Sequence, residues 1–249
     1  MSAAGPEGAD LPDELSLVAG LRSTGAVREF EDRRVPDEVL ARVLDTARFA
    51  PNGGNQQAWH VVVVKDPERR RGLRDLYVPA WVEYLEQRAD GVQPWAPIGD
   101  AAAEAVSLAR AEERNRAGAG DDPSLGDFAR HLDRVPVLAV VLADLRLLAA
   151  TDRDLGRYTL VGGASIYPFV WSILLAAHAE GLGGVMTTVA IRHEPELRTL
   201  LHVPEELAVA AVLAMGYPTE RATRLRRRPV ETFTTIDTYD GPELRGPDA

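Results

Sequence analysis

Apolar positions in this chain fall into two kinds of pattern. Behind Pro36, Asp37 and Glu38, a proline and two acids suited to a first helical turn, Val39, Leu40, Val43, Leu44 and Ala47 recur at helical spacing. A similar stripe of Leu15, Val18 and Ala19, with Arg22 alongside, predicts a first helix from near Pro12. Asp66 and Pro67 open a third helix through Leu73 and Leu76. Tyr77, Trp81 and Tyr84 follow at spacings of four and three, so they share one face if that helix continues past Pro79. Core packing accounts for such a stripe more often than ligand contact does.

Unbroken apolar runs at residues 60–64, 135–142 and 207–215 predict strands. The longest run, 161–179, approaches the length of a membrane span. It carries Ser165, Tyr167, Pro168, Ser172 and His178, and it predicts a central buried helix over 164–180. That helix stops at Gly181, where GLGGVMTTV turns into a short extended piece, and 194–201 predicts a short helix with Pro195 at its start.

Residues 1–11 are small and acidic and predict a disordered extension ahead of one domain over 12–240, with a flexible tail at 241–249. Within the domain, 91–134 reads as an insertion around a helix-like 101–116, a place for a lid or substrate loop. The β-branched run 230–236 has strand propensity and no remaining core to fill, so it predicts an arm that pairs with another chain or a distant edge.

Composition narrows the chemistry. A formal charge of −10 argues against a nucleic-acid surface, although Arg69 to Arg71 and Arg226 to Arg228 leave room for local anion sites. The absence of cysteine removes thiolate nucleophiles, disulfides and iron–sulfur clusters. The N-terminus lacks the basic start and apolar run of a signal peptide, giving a cytoplasmic expectation. The five histidines lack ligand spacing, which argues against a metal site. Gly163 to Tyr167 fails the GxSxG elbow, and Gly181 to Met186 lacks the third glycine of a dinucleotide fingerprint. An enzyme of this composition needs an organic cofactor to carry its reaction.

The stretch 50–59, APNGGNQQAW, lies between a helix and a strand. Pro51 ends the helix, Gly53 and Gly54 free the backbone, and Asn52, Asn55, Gln56 and Gln57 each offer a donor and an acceptor. Such a loop suits a neutral, planar, hydrogen-bonding group; a plain polar turn is the alternative.

Four segments in order resemble the nitroreductase family of FMN-dependent oxidoreductases. They are RSTGAVREF ahead of VPDEVL, APNGGNQQAWHVVVV, the 164–180 helix running into GLGGVMTTV, and GYP followed by RRRPVE. The resemblance implies an α+β fold, a central mixed or antiparallel sheet flanked by helices, and a homodimer that exchanges C-terminal arms and holds FMN at its interface. It implies ping-pong hydride transfer from NADH or NADPH to a small aromatic acceptor such as a nitroarene or quinone. By residue, it points to Thr24, Arg28 and Arg227 around the ribityl phosphate, to Asn52, Asn55 and Gln57 on the flavin, and to Thr187 and Thr188 near N5. Trp81 and Tyr84 are candidates for the acceptor.

Four positions depart from the family pattern: Asn52 stands where serine is usual, Ala58 replaces a proline before Trp59, and Gly25 and Ala26 stand where arginine and often serine are usual, so one phosphate ligand is missing unless Arg22 or an arginine of 224–228 replaces it. Two alternatives stay open, a flavin-dependent dehydrogenase or oxidase of a specialised metabolite, and a flavin-fold protein that has lost FMN and binds another small molecule.

Overall fold

The computed structural model describes residues 16–221 and 225–245. Strands β1 (Trp59–Val63), β2 (Val137–Asp144), β3 (Gly183–Thr187) and β4 (Leu207–Gly216) make one antiparallel sheet in the order β1-β2-β4-β3. Of the two sheet types expected, this is the antiparallel one. Helices α1 (Leu17–Ser23), α2 (Asp37–Ala47), α3 (Pro67–Ala89), α4 (Ala101–Arg116), α5 (Asp127–Arg130), α6 (Tyr167–Ala179) and α7 (Glu194–Leu201) surround it.

Helices cover both faces of β2, which explains a strand with no polar alternation. Leu138, Val140 and Leu142 join a core with Leu73, Tyr77 and Val82 of α3 and Leu197 of α7. Val137, Ala139, Val141 and Ala143 join the opposite core with Leu40 and Val43 of α2 and Phe169 and Ile173 of α6. The β2–β4 register jumps between Val141, paired with Ala211, and Leu142, paired with Val209. Such a bulge flips the phase of one strand, so Val209 faces the α3 side while Ala211 and Leu213 face α6.

The third helix does run through Pro79. An internal proline costs about 3 kcal/mol of helix propensity, and the burial of Leu73, Tyr77, Val78, Ala80 and Val82 around it offsets that loss. Asn115 of α4 donates to the Pro79 carbonyl at 3.1 Å. The insertion is tied to α3 and its C-terminal end by ion pairs of Arg110 with Glu86 and Asp90 and of Arg114 with Glu86 at 3.0 Å, while Arg114 also pairs within the insertion with Asp122 at 2.6 Å.

Two expectations need correction. The 164–180 helix begins later, at Tyr167, after a 3-10 turn over Val161–Ser165, because the stretch holding Gly162 and Gly163 gains no helical propensity from its neighbours. The run 230–236 forms no strand: it is a 3-10 turn over Val230–Thr232 and a hairpin closed by one bridge, Thr235 to Glu243. β-Branched residues favour strands through packing on a pleated, half-buried surface, which this exposed hairpin lacks. The first helix is seen only from Leu17; its expected start near Pro12, residues 1–11, Arg224 and the end of the tail lie outside the described residues. No described helix is long and apolar enough to cross a membrane.

Candidate functional site

The 50–57 loop is folded by its own first asparagine. Asn52 donates to the Ala50 carbonyl at 3.2 Å and accepts from the Gln57 N–H at 2.8 Å. Gly54, Asn55 and Gln57 then adopt left-handed conformations, φ 59°, 51° and 50°. Two such non-glycine residues in one loop store strain that the fixed ends must hold. Asn55 and Gln57 remain exposed, whereas Asn52 is half-buried and largely spent on the loop. Ser165 anchors the loop by accepting from the Gly53 N–H at 3.0 Å. Ala58 is buried and Trp59 stacks on Phe169, ring centroids 4.4 Å apart, so the loop passes directly into the core.

The segment after α1 lies on the free edge of β3. Thr24 is buried and donates its hydroxyl to the Gly20 carbonyl at 2.7 Å, closing the helix. Ala26 then bridges Gly184 in parallel, and the Val27 N–H donates to the Gly184 carbonyl at 2.9 Å. This approach explains Gly183, where an added β-carbon would meet Val27 at 2.8 Å; one at Gly184 would instead meet the Ala214 carbonyl of β4 at 2.9 Å. Arg28 follows, exposed, lining both a cavity of about 510 Å³ shared with His178, Gly183 and Arg221 and a cleft of about 1190 Å³ shared with Phe30, Trp81 and Phe128. The Leu225 N–H donates to the Arg22 carbonyl at 3.1 Å, so the exposed Arg226, Arg227 and Arg228 continue from the same place. Arg22 thus lies where the 226–228 run begins, in a chain of strongly negative charge, and Arg28 follows six residues after it.

Thr187 and Thr188 end β3 on opposite sides. Thr187 shares the side of Val185, toward α3, and its hydroxyl oxygen accepts from the Val189 N–H at 3.4 Å; Thr188 is exposed. Burial pushes the Tyr77 phenol up to about 12. Tyr77, Trp81 and Tyr84 do share a face and stack in sequence, centroids 5.9 and 4.9 Å apart, with Trp95 6.2 Å beyond Tyr84. Trp81 also donates its indole N–H to the Leu125 carbonyl at 2.9 Å. Much of this stripe is therefore packing, with Trp81 lining the larger cleft.

These residues form two sets rather than one. The amide loop precedes β1 and Thr187 ends β3, the two outer strands, separated by three strand spacings or about 14 Å. Helix α6 separates them too: the loop is anchored at Ser165, before its start, and Ser23 is bonded to His178, near its end, at 3.1 Å. Thirteen residues of rise put those anchors roughly 20 Å apart. Burial, and then the charge of Arg221, hold the His178 imidazole below its usual range.

Ser165, Ser23 and His178 anchor the candidate segments, and nothing in the sequence signalled it, because each meets a partner more than a hundred positions away.

A family model described as Nitroreductase family matches residues 21–217. A protein named NADH dehydrogenase from Thermus thermophilus is 28% identical over 207 residues, covering 83% of this chain and 88% of that protein. Nitroreductase A from Vibrio parahaemolyticus superposes with a TM-score of 0.60 at 17% identity, covering 89% of this chain and 76% of that one. An oxidized iodotyrosine deiodinase bound to FMN and 3-iodo-L-tyrosine superposes with a TM-score of 0.58 at 22% identity, covering 90% of this chain and 100% of that one. At these identities the two structures speak for the fold alone.

Proposed function

This chain belongs to the nitroreductase family, and from that premise we propose that it is an FMN-dependent oxidoreductase, working as a homodimer, that takes hydride from NADH or NADPH and delivers it to a flat aromatic acceptor. The observation that carries this reading is the pair of complementary half-sites at the two ends of α6. One offers exposed guanidinium groups beside the hydroxyl end of β3, and the other offers exposed, neutral amides. A dimer that packs two α6 helices antiparallel across a twofold axis would bring the amide loop of one chain to the arginine segment of the other. Tyr167 and Trp171, one turn apart on α6, are exposed, as are Phe49, Tyr158 and Leu160, more apolar surface than a monomer usually leaves to water.

The donor set suits FMN. Planar guanidinium forks match phosphate oxygens bidentately, so Arg28 and Arg227, with Arg22 and Arg226 near, would hold the phosphate in place of the missing arginine at 25. Thr187 and Thr188 would border the ring, while Asn55 and Gln57 of the partner subunit would bond its polar edge. Thr24 and Asn52 contribute by fixing the backbone around them. Bound FMN would supply a ring that accepts hydride at N5 and yields it to the next substrate. The remaining work of the protein is to orient two flat molecules in turn and keep water away, with Trp81 and Tyr84 as an aromatic wall whose ring pairs add about 0.5 to 1.5 kcal/mol each.

Colour is the test. A yellow preparation whose visible bands bleach under NADPH or NADH and return on adding a nitroarene or quinone supports the proposal. A colourless protein that added FMN does not turn yellow overturns it.

A further inference from the structure

The arginine run 69–71 has no part in the flavin site. Arg69 turns away from the cleft, donating to the Leu200 carbonyl at 3.1 Å. Arg70 and Arg71 line the cleft of about 1190 Å³ that also holds Arg28 and Trp81. Seven lysines and arginines line it against five acids, a surplus of base in a chain of charge −10. Two of those acids are engaged by arginines outside the lining, Asp133 by Arg74 at 3.3 Å and Asp127 by Arg130. The other three, Glu29, Glu31 and Asp32, are exposed on the segment beside Arg28. Among the bases, Lys65 pairs with Asp37, and Arg33 lies over the Tyr217 ring, 3.7 Å from its centroid. Arg34, Arg71 and Arg134 are exposed and meet no carboxylate among the described residues.

Arg70 fixes the wall between them. Its half-buried guanidinium donates to the carbonyls of Val64 at 2.9 Å, Asp133 at 2.8 Å and Val135. These bonds join the end of β1 to the entry of β2, and all three acceptors are uncharged, so the positive charge of Arg70 stays available to the cleft. Along α3, Arg71 and Trp81 are ten residues apart, a rise of about 15 Å, so the cleft leads from a basic end to the aromatic wall.

We propose that this cleft takes the adenosine end of the nicotinamide donor and that Arg34, Arg71 and Arg134 seat its 2′-phosphate, which makes NADPH the donor in preference to NADH. The inference rests on the reading of the chain as a flavin-dependent oxidoreductase with Trp81 beside the reacting rings. A phosphate monoester carries about two negative charges at pH 7, and guanidinium forks match its oxygens. A 2′-hydroxyl in its place would leave these arginines facing water. A dinucleotide lying along the cleft spans both ends, its phosphate among the arginines and its nicotinamide toward Trp81.

The test titrates 2′,5′-ADP, 5′-AMP and inorganic phosphate into the wild-type chain and into Arg71→Ala, Arg134→Ala and Arg116→Ala by calorimetry. The wild-type chain should bind 2′,5′-ADP at least about tenfold more tightly than 5′-AMP or phosphate. Arg71→Ala and Arg134→Ala should each weaken 2′,5′-ADP about tenfold, with 5′-AMP and the Kd for FMN unchanged. Arg116→Ala removes the same charge from the far end of α4 and should change nothing. In turnover, the two cleft variants should raise KM for NADPH with kcat and KM for NADH unchanged. No preference for 2′,5′-ADP, losses within twofold, or an equal loss in Arg116→Ala overturns the proposal. A matching loss of FMN affinity overturns it as well, by placing these arginines in the flavin site. If the wild-type chain binds no flavin, the proposed function fails, while the 2′,5′-ADP titration still decides whether the cleft seats a 2′-phosphate.

Discussion

Val27 rests on the bare α-carbon of Gly183, where an added β-carbon would stand 2.8 Å from Val27 Cγ2. The contact lets the 25–28 segment ride on the edge of β3 and places Arg28 beside the strand. Gly183→Ala should lift that segment, and overpacking of this kind costs about 1 to 3 kcal/mol. Gly184→Ala should cost more, since its β-carbon would meet the Ala214 carbonyl and Met215 inside the sheet. Urea denaturation checks the order, and a flavin titration of Gly183→Ala should show weakened FMN binding.

Arg28→Ala and Arg227→Ala should separate phosphate recognition from ring recognition. Each removes a charged hydrogen bond worth about 1.5 to 3 kcal/mol, so FMN affinity should fall about ten- to hundredfold. Riboflavin, which has no phosphate, should bind both variants as it binds the wild-type chain. Equal losses for the two flavins would place the phosphate elsewhere.

Asn52 offers a sharper test of loop geometry than its exposed neighbours do. Asn52→Ala removes both bonds that hold Ala50 to Gln57, so the left-handed residues 54, 55 and 57 lose their clamp. Asn52→Asp keeps an acceptor for the Gln57 N–H and loses only the donor to Ala50. Proteolysis within 52–57 and FMN affinity should both follow the order wild type, Asp, Ala.

The ties that fasten the insertion should fail in acid. The Ser124 N–H, and then Arg114, hold Asp122 down to about 2, from an ordinary 3.8. Asp90 is lowered as well, by the Ser107 hydroxyl and then Arg110. A carboxylate with a depressed folded pKa stabilises fully above its unfolded value and loses that contribution as pH falls through the folded one. Hydrogen-exchange protection across α4 should therefore decline as pH drops from about 3.8 to about 2, and Arg114→Ala should shift the decline upward.

Where one local rule governed a segment, sequence was enough. The uniformly apolar 135–142 read as a strand because both faces of β2 are covered, and the spacing of Tyr77, Trp81 and Tyr84 read as one helical face because packing outweighed Pro79. The arginines and the amide loop were visible as residue types in order. Their separation was not, because it follows from strand order and from the length of α6 rather than from any motif. Nor was the inward use of Asn52, since a side chain that folds its own loop and one that awaits a ligand look alike in sequence. At 230–236 propensity pointed to a strand, and with no neighbouring strand among the described residues the result is a hairpin.

The distance between the two half-sites has a genetic consequence. In the proposed dimer, chains damaged only in the amide loop, such as Asn55→Ala, and chains damaged only in the arginine segment, such as Arg28→Ala, would each make dimers with both sites impaired at limiting FMN. A mixed pair would contain one site with both defects and one with neither. Co-expressing the two alleles in equal amounts should restore about a quarter of the parent's intact sites, since about half the dimers are mixed and each of those keeps one good site, a complementation that damage confined to a single-chain site does not allow.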